Sequence, residues 1–149
     1  MTWQKDQFSI STDKSRLDQA YIQEKLSGTY WAQDIPISIV ERSIENSLCF
    51  GVYHEEKQIG LARIITDRAT FAYLCDVFID ESYRGLGLSK WLMSVIMGHP
   101  DLQGLRRFML ATKDAHRLYR QSGFHDLLAP DRWMEIAVPG IYTKLKAGQ

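Results

Sequence analysis

Residues 83–92 read YRGLGLSKWL, and this stretch decides how the chain folds and what it can hold. Gly85 and Gly87 stand one residue apart, immediately before an apolar run with helical spacing. A glycine inside a helix costs ~1 kcal/mol relative to alanine, so the pair indicates a tight turn that leads into a helix. The apolar positions of that helix recur at i, i+3, i+4, i+7 and i+8, namely Leu88, Trp91, Leu92, Val95 and Ile96, and Gly98 with Pro100 ends it.

A glycine turn at a helix start can bind an anion. Its backbone N–H groups point outward, and the positive end of the helix dipole lies behind them. Arg84 and Lys90 add positive charge, and Ser89 adds a hydroxyl donor, so the ligand that this turn favours carries phosphate. The spacing matches neither the P-loop nor the G-x-G-x-x-G dinucleotide pattern. A nucleotide ligand and a turn with no ligand both stay open.

The rest of the chain has the alternating patterns of an α/β protein. A strand is predicted around Phe8 and Ile10. Further strands are predicted in the segments LCFGVY, IGLARIIT, FAYLCDVFI, RRFMLA, FHDL and RWMEIAV. Helices are predicted over residues 17–26, after Pro36, after the glycine turn, and from an Asp114 cap to Gly123. This order predicts a mixed sheet with helices on both faces and one domain over residues 1–149.

Bulk composition narrows the class of protein. Eighteen basic residues balance 18 acidic ones, which argues against a nucleic acid or an anionic membrane as partner. With no signal peptide or membrane span in the sequence, we expect a soluble cytoplasmic protein. Cys49 and Cys75 look like small buried apolar residues, although a disulfide between them stays open. The four histidines lack metal-ligand spacing, so we expect no metal and mostly solvated imidazoles.

Two motifs resemble those of the GNAT N-acetyltransferases. The segment VFIDESYRGLGLSKWL is similar to the family's acetyl-CoA motif R/Q-x-x-G-x-G/A, with Arg84, Gly87 and Ser89 at its positions. The segment ATKDAHRLYRQSGF resembles the later N-x-x-A-x-x-L-Y-x-x-x-G-F element, with Thr112 in place of its asparagine. The resemblance covers roughly residues 48–138 and implies the GNAT-like fold, a mostly antiparallel central sheet flanked by helices.

The resemblance also implies which residues hold acetyl-CoA. Backbone groups of the strand VFI would meet the pantetheine arm, and the glycine turn would hold the pyrophosphate. The cofactor-binding residues implied in this way are Val77, Phe78, Ile79, Arg84, Gly85, Leu86, Gly87, Leu88, Ser89, Lys90 and Thr112. Without a ligand, the side chains of the strand would simply be core.

Direct acetyl transfer to an amine needs an acid and a base. Tyr119 stands at the family's position for the acid that protonates the departing thiolate, because a phenol can donate as charge develops on sulfur. Tyr73 and Asp76 are the candidates for receiving the proton of the amine: Tyr73 would relay it through water, and burial would raise the pKa of Asp76. Asp76 could equally be a structural carboxylate paired with an arginine. Tyr30 and Trp31, in the loop TYWAQDIP, are the candidates for the acceptor pocket.

The sequence thus predicts an acetyl-CoA-dependent N-acetyltransferase that acts on a primary amine of a small molecule, amino acid or peptide. The alternative is a non-catalytic acyl-CoA-binding module that regulates a partner. A homodimer formed through an exposed strand or helix face stays open.

Overall fold

The centre of the fold is a six-stranded sheet in which every strand pairs with the next one along the chain. The computed structural model describes residues 1–148. The strands are β1 (Thr2–Lys5), β2 (Phe8–Ser11), β3 (Leu48–His54), β4 (Lys57–Thr66), β5 (Phe71–Ile79) and β6 (Arg107–Leu110). All neighbours are antiparallel except β5 and β6, which are parallel. The predicted mixed, mostly antiparallel sheet is confirmed.

Within residues 1–148, five helices flank this sheet: α1 (Gln19–Ser27), α2 (Ile37–Glu45), α3 (Leu88–Met97), α4 (His116–Arg120) and α5 (Ile141–Ala147). The local sequence explains where they begin and end. Asp18 caps α1, since its carboxylate accepts a hydrogen bond from the Tyr21 N–H at 3.0 Å, and Gly28 follows the last residue. Pro36 directly precedes α2, and Gly87 and Gly98 flank α3 as the sequence predicts.

Helices cover both faces of the sheet, as expected, and form a core on each. On one face, α3 and α4 pack against alternate residues of β3, β4 and β5. On the other face, α1 and α2 pack against Cys49 and Leu61. Burial of these side chains is the main force that holds the helices to the sheet. The end of α1, the start of α3 and helix α4 all lie near the end of β5.

An irregularity at Asp76 breaks the alternation of β5. Asp76 has a positive φ of 51°, and the register with β4 shifts between Leu61 and Arg63. Leu61 faces Phe78 and Arg63 faces Cys75, so β5 has one more residue than β4 here. The bulge turns the Asp76 side chain toward α1 and α2.

Strands β5 and β6 separate before β5 ends. Their pairing runs from Phe71 opposite Arg107 to Leu74 opposite Leu110, where β6 stops. β5 continues to Ile79, paired only with β4. Within residues 1–148, its backbone from Cys75 onward therefore has one edge without a strand partner. The gap beside that edge is where the candidate site lies.

The ends of the chain differ from the sequence-based prediction. Strand β1 and helix α5 were not predicted, and the predicted strands FHDL and RWMEIAV are wrong, since residues 124–140 contain only a short 3-10 turn. RWMEIAV has strand-forming residues, but no neighbouring strand pairs with it in the described part of the chain. The cap of α4 is Ala115 rather than Asp114.

Two further features bear on the predictions from composition. His99 is buried rather than solvated, because its ring packs between Phe50 and Trp3, and its Nδ1 accepts the Asp101 N–H.

Both cysteines are free thiols, and burial raises the pKa of Cys49 to about 11 and that of Cys75 to about 12. None of the helices over residues 1–148 has both the length and the apolar content that crossing a bilayer requires.

Candidate functional site

A cleft of about 770 Å³ opens between the free edge of β5 and the start of α3. The end of α1 closes one side, and α4 closes the other. Its lining includes Gly28, Trp31, Val77, Phe78, Ile79, Arg84, Gly85, Gly87, Leu88, Ser89, Lys90, Leu118 and Tyr119. The structure thus brings most of the residues that the two motifs singled out to one place.

The glycine turn forms one end of this cleft. Gly85 and Gly87 have φ values of 81° and 77°, a left-handed conformation that costs other residues ~1–2 kcal/mol. A Cβ at either position would meet nothing within 4 Å, so the glycines are needed for backbone conformation and leave open space above the turn. Two glycines precede the helix because the turn requires this left-handed backbone at both positions.

The first turn of α3 offers hydrogen-bond donors. No described side chain caps it, and its first bond is from the Trp91 N–H to the Gly87 carbonyl at 3.1 Å. The N–H groups of Leu88, Ser89 and Lys90 therefore lack a partner within the helix. With the exposed Arg84 and Lys90 beside them, they make an end of the cleft that favours an anion.

Tyr119 lies on the opposite wall. Its side chain is buried and packs edge-on against Phe124 at 6.2 Å between ring centroids. Burial, and after it the negative charge of Asp114, raises the pKa of Tyr119 above its ordinary value. The phenol is protonated at neutral pH, as an ordinary phenol also is, and it lies on the wall of the cleft.

A hydrogen-bond network joins β5 to the loop between α1 and α2. The Trp31 Nε1–H donates to Oδ1 of Asp76 at 2.9 Å, and the Arg63 Nε–H donates to Oδ2 at 2.8 Å. Arg63 also donates to the Ser47 hydroxyl at 3.0 Å. Because both carboxylate oxygens accept a bond, Asp76 holds the loop and the strand together.

The remaining predicted residues lie beside the cleft rather than on its wall. Tyr73 is half-buried on the face of β5 that α1 and α2 cover, and burial, with the Cys75 thiol and the Asp76 carboxylate next to it, raises its pKa. The Tyr30 ring packs edge-on against Trp31 at 5.1 Å, and the Lys113 ammonium lies 5.4 Å from its centroid. Thr112 accepts the Ala115 N–H at 3.0 Å, which places its hydroxyl at the start of α4.

Sequence reasoning missed the wall that α1 contributes. Lys25 forms an ion pair with Asp80 at 3.3 Å, and the Tyr21 hydroxyl donates to the same carboxylate at 3.3 Å. The hydroxyl and N–H of Ser82, and then Lys25, hold the pKa of Asp80 well below its usual range. Tyr21 and Lys25 lie on α1 and Asp80 directly follows β5, and no motif marks any of the three.

A second groove, of about 490 Å³, runs along β6. Residues 106–112 form one wall, and Tyr119 with residues 122–128 forms the other. Tyr119 is thus the side chain that the cleft and this groove share. Thr112 lines the groove and not the cleft.

Comparison with known proteins agrees with these features. A family profile described as "Acetyltransferase (GNAT) family" matches residues 7–124. A candidate acetyltransferase of Gibberella zeae is 33% identical over an alignment that covers 78% of each chain. The crystal structure of a candidate GNAT acetyltransferase from Xanthomonas campestris is 53% identical, with a TM-score of 0.90 over 91% of this chain and 96% of that one. A GNAT family acetyltransferase from Elizabethkingia anophelis with acetyl-CoA bound shares the fold at 14% identity, with a TM-score of 0.63 over 91% of this chain and 92% of that one.

Proposed function

Because the chain belongs to the acetyltransferase (GNAT) family, which uses acetyl-CoA, we propose that it transfers the acetyl group of acetyl-CoA directly to a primary amine. The acceptor class is the amine of a small molecule, an amino acid or a peptide. The observation that carries this proposal is the cleft in which an anion-binding helix start and a buried phenol face each other. A thioester that carries phosphate needs both groups: donors for its phosphates at one end and a proton donor for its sulfur at the other.

The cleft fits acetyl-CoA as the donor substrate. The free N–H groups at the start of α3, with Arg84 and Lys90, would hold the pyrophosphate, and the open space above Gly85 and Gly87 lets it approach the backbone. The unpaired edge of β5 would accept the pantetheine arm as an added strand, through the backbone of Val77, Phe78 and Ile79. The thioester would then lie near Tyr119.

The reaction forms one bond and breaks one. The lone pair of the neutral amine attacks the carbonyl carbon, the C–N bond forms, and the C–S bond breaks as the electron pair moves to sulfur. Tyr119 gives its proton to the thiolate, which leaves as the thiol of CoA. The nitrogen releases its surplus proton through water to solvent, and the Tyr119 phenolate takes a proton back from solvent before the next turnover. The Tyr119 pKa, raised by burial, keeps the phenol protonated until that charge develops.

Asp76 and Tyr73 are the groups that we assign to the amine side. The two bonds that Asp76 accepts, from Trp31 and Arg63, support a positioning role for it, in which the carboxylate fixes the Trp31 indole. Because the Tyr73 pKa is raised, its phenol stays neutral and would relay the amine proton through water instead of binding it as a base.

Tyr30 and Trp31 would receive the acceptor. Both rings are exposed, by 67% and 48%, next to the cleft. The ammonium group of Lys113 lies 5.4 Å from the Tyr30 ring centroid, and this contact supports a role for the ring in binding a cationic nitrogen. An amine substrate in its protonated form would be attracted to the same aromatic surface.

Tyr119→Phe tests the proposal. Release of CoA thiol with a broad panel of amines should show turnover in the wild type, and the variant should lower kcat by about 100-fold while calorimetric binding of CoA is retained. The control is Tyr53→Phe, which removes a buried tyrosine hydroxyl outside the cleft and should leave kcat unchanged.

Two results would contradict the proposal. Tight CoA binding with no turnover for any amine would favour the non-catalytic acyl-CoA-binding module. ATP or NAD binding more tightly than CoA would contradict the choice of ligand.

A further inference from the structure

One side chain attaches the glycine turn to the body of the protein. Six of the seven residues from 81 to 87 are exposed, and only Tyr83 is half-buried. The ion pair between Arg84 and Glu81, at 4.0 Å, stays within this segment. The turn also holds two glycines, which have more accessible backbone conformations than any other residue, so it is not rigid by itself. Leu88, which is buried in the core, fixes the far end of the turn, and Tyr83 fixes its near end.

Tyr83 belongs to a cluster of three aromatic rings on the sheet. Phe8 and His54 stand opposite each other on β2 and β3, with 5.1 Å between their ring centroids. The Tyr83 ring packs edge-on against both, at 6.1 Å from Phe8 and 5.3 Å from His54. These contacts hold the Tyr83 ring against the paired strands β2 and β3.

A hydrogen bond fixes the orientation of the Tyr83 ring. Its hydroxyl lies 2.9 Å from Nδ1 of His54. In the neutral imidazole that carries its hydrogen on Nε2, Nδ1 accepts the hydroxyl hydrogen. Tyr83 lines the cleft and His54 does not, so His54 can act on a bound ligand only through Tyr83. Arg84 and Gly85 follow Tyr83 directly in the chain, so the position of Tyr83 sets where the turn begins.

We infer that the hydrogen bond between His54 and Tyr83 positions the glycine turn for the pyrophosphate of acetyl-CoA. Both side chains are then positioning residues for binding of the donor, although no motif marks His54. The inference rests on the proposed function, because it takes the turn as the pyrophosphate site. The thioester would lie at the other end of the cleft, near Tyr119, so loss of the bond should leave the chemical step unchanged.

Tyr83→Phe and His54→Phe test the bond, since each variant removes it and keeps an aromatic ring. Calorimetry should show a Kd for CoA about fivefold higher in each variant, the usual effect of losing one hydrogen bond. With an amine that the wild type acetylates, KM for acetyl-CoA should rise by the same factor, while kcat and KM for the amine stay unchanged. The double variant should bind CoA no more weakly than either single variant, because the same bond is lost.

A truncated donor separates positioning of the turn from a general loss of structure. Acetylpantetheine carries the thioester but lacks the pyrophosphate and the nucleotide. kcat/KM for this donor should be the same in Tyr83→Phe as in the wild type, whereas kcat/KM for acetyl-CoA should fall about fivefold. An equal fall with both donors would overturn the inference.

Two further variants are controls. His54→Asn places an oxygen acceptor where Nδ1 was, so its Kd for CoA should stay near the wild-type value. Ile44→Val removes a buried methyl group on the opposite face of the sheet. It should lower the stability without touching the turn, and it should also leave the Kd for CoA unchanged.

The results distinguish this inference from the proposed function. If Tyr83→Phe and His54→Phe keep the wild-type Kd for CoA, or if His54→Asn loses as much affinity as His54→Phe, the inference is wrong and the proposed function stands. If the wild type binds no CoA, both are wrong. If the wild type binds CoA and acetylates no amine, weaker CoA binding by the two phenylalanine variants would support the inference and contradict the proposed transfer.

Discussion

The indole of Trp31 and the carboxylate of Asp76 are joined by a 2.9 Å hydrogen bond that links residues 45 positions apart in the chain. This bond ties the exposed loop after α1 to the strand that forms the floor of the cleft. It depends on the bulge in β5, because the positive φ of Asp76 turns the carboxylate toward the loop. Arg63 supplies the counter-charge on the same side.

Asp76→Asn should destabilise the protein. Asparagine tolerates a positive φ, so the change removes charge without adding backbone strain. The Arg63 guanidinium, only 16% exposed, then lacks its counter-charge, and we expect the free energy of unfolding to fall by about 2 kcal/mol. Urea denaturation measures this. Asp126→Asn is the control, since the Arg120–Asp126 pair is exposed and should contribute about 0.5 kcal/mol or less. Equal losses in the two variants would contradict the assigned role of Asp76.

Gly87→Ala should weaken acetyl-CoA binding more than it weakens the fold. The left-handed φ of 77° costs alanine ~1 kcal/mol, and the new methyl group projects into the space that the proposed pyrophosphate needs. We expect KM for acetyl-CoA to rise about tenfold. Gly104→Ala carries the same strain, at φ 69°, but lies outside the cleft, so it should lower the melting temperature similarly and leave KM unchanged. A parallel rise in KM for both variants would argue against pyrophosphate binding at this turn.

Tyr53→Phe should not destabilise the protein. Within the described residues, the Tyr53 hydroxyl is buried and has no hydrogen-bond partner, and burial raises its pKa to about 12. Removing an unpaired buried hydroxyl should raise the free energy of unfolding by up to about 1 kcal/mol. Tyr83→Phe is the comparison, because the Tyr83 hydroxyl lies 2.9 Å from His54 Nδ1 and its loss should cost about 1 kcal/mol. A loss for Tyr53→Phe as large as that for Tyr83→Phe would show that the Tyr53 hydroxyl does have a partner.

His99 should make stability depend on pH near neutrality. Burial lowers the pKa of His99. The negative charge of Asp101 acts against this shift, and the positive charges of Arg68 and the N-terminal ammonium group add to it. The unfolded chain, with a histidine pKa of about 6.5, therefore takes up a proton at a higher pH than the folded protein does. The stability that neutral His99 contributes is present above that pH and is lost as the pH falls through it toward the lower pKa of the folded state.

His99→Asn isolates that contribution. Asparagine can still accept the Asp101 N–H bond but does not titrate, so the variant should show a flatter dependence of the unfolding free energy on pH in this range. Hydrogen bonds lower the pKa values of Asp67 and Asp80, so these two carboxylates change the unfolding free energy only in a more acidic pH range. Identical pH profiles for wild type and variant would contradict the prediction.

The sequence was sufficient for the central part of the fold. Helix α3 and strands β3 to β5 follow from apolar spacing, glycine stops and turn residues, which act locally. The prediction was wrong at the C-terminal end, where RWMEIAV has the residues of a strand but lacks a partner in the described chain. Strand formation needs a neighbour, and a local pattern cannot supply that information.

The sequence predicted the parts of the candidate site that a motif marks. It did not predict the parts that are formed by contacts between distant segments of the chain. The glycine turn was found by its spacing and Tyr119 by the resemblance to the family's later motif, and both line the cleft.

An arginine partner for Asp76 was one of the two readings of its sequence, and Arg63 is that partner. The bond to Trp31 could not be read from FAYLCDVFI, because the bulge that redirects the Asp76 side chain depends on the register with β4. The pair of Lys25 and Asp80 likewise joins residues far apart in sequence.

Because β6 ends before β5 does, the side chains at the end of β5 can vary without loss of its unpaired backbone edge. Main-chain groups of β5 from Cys75 to Ile79 stay available whichever side chains those positions carry. Substitutions there alter packing on either face of the sheet but leave the N–H and C=O groups in place. Apart from Asp76, whose side chain holds Trp31 and Arg63, substitutions in this strand can therefore leave the donors and acceptors of its unpaired edge unchanged.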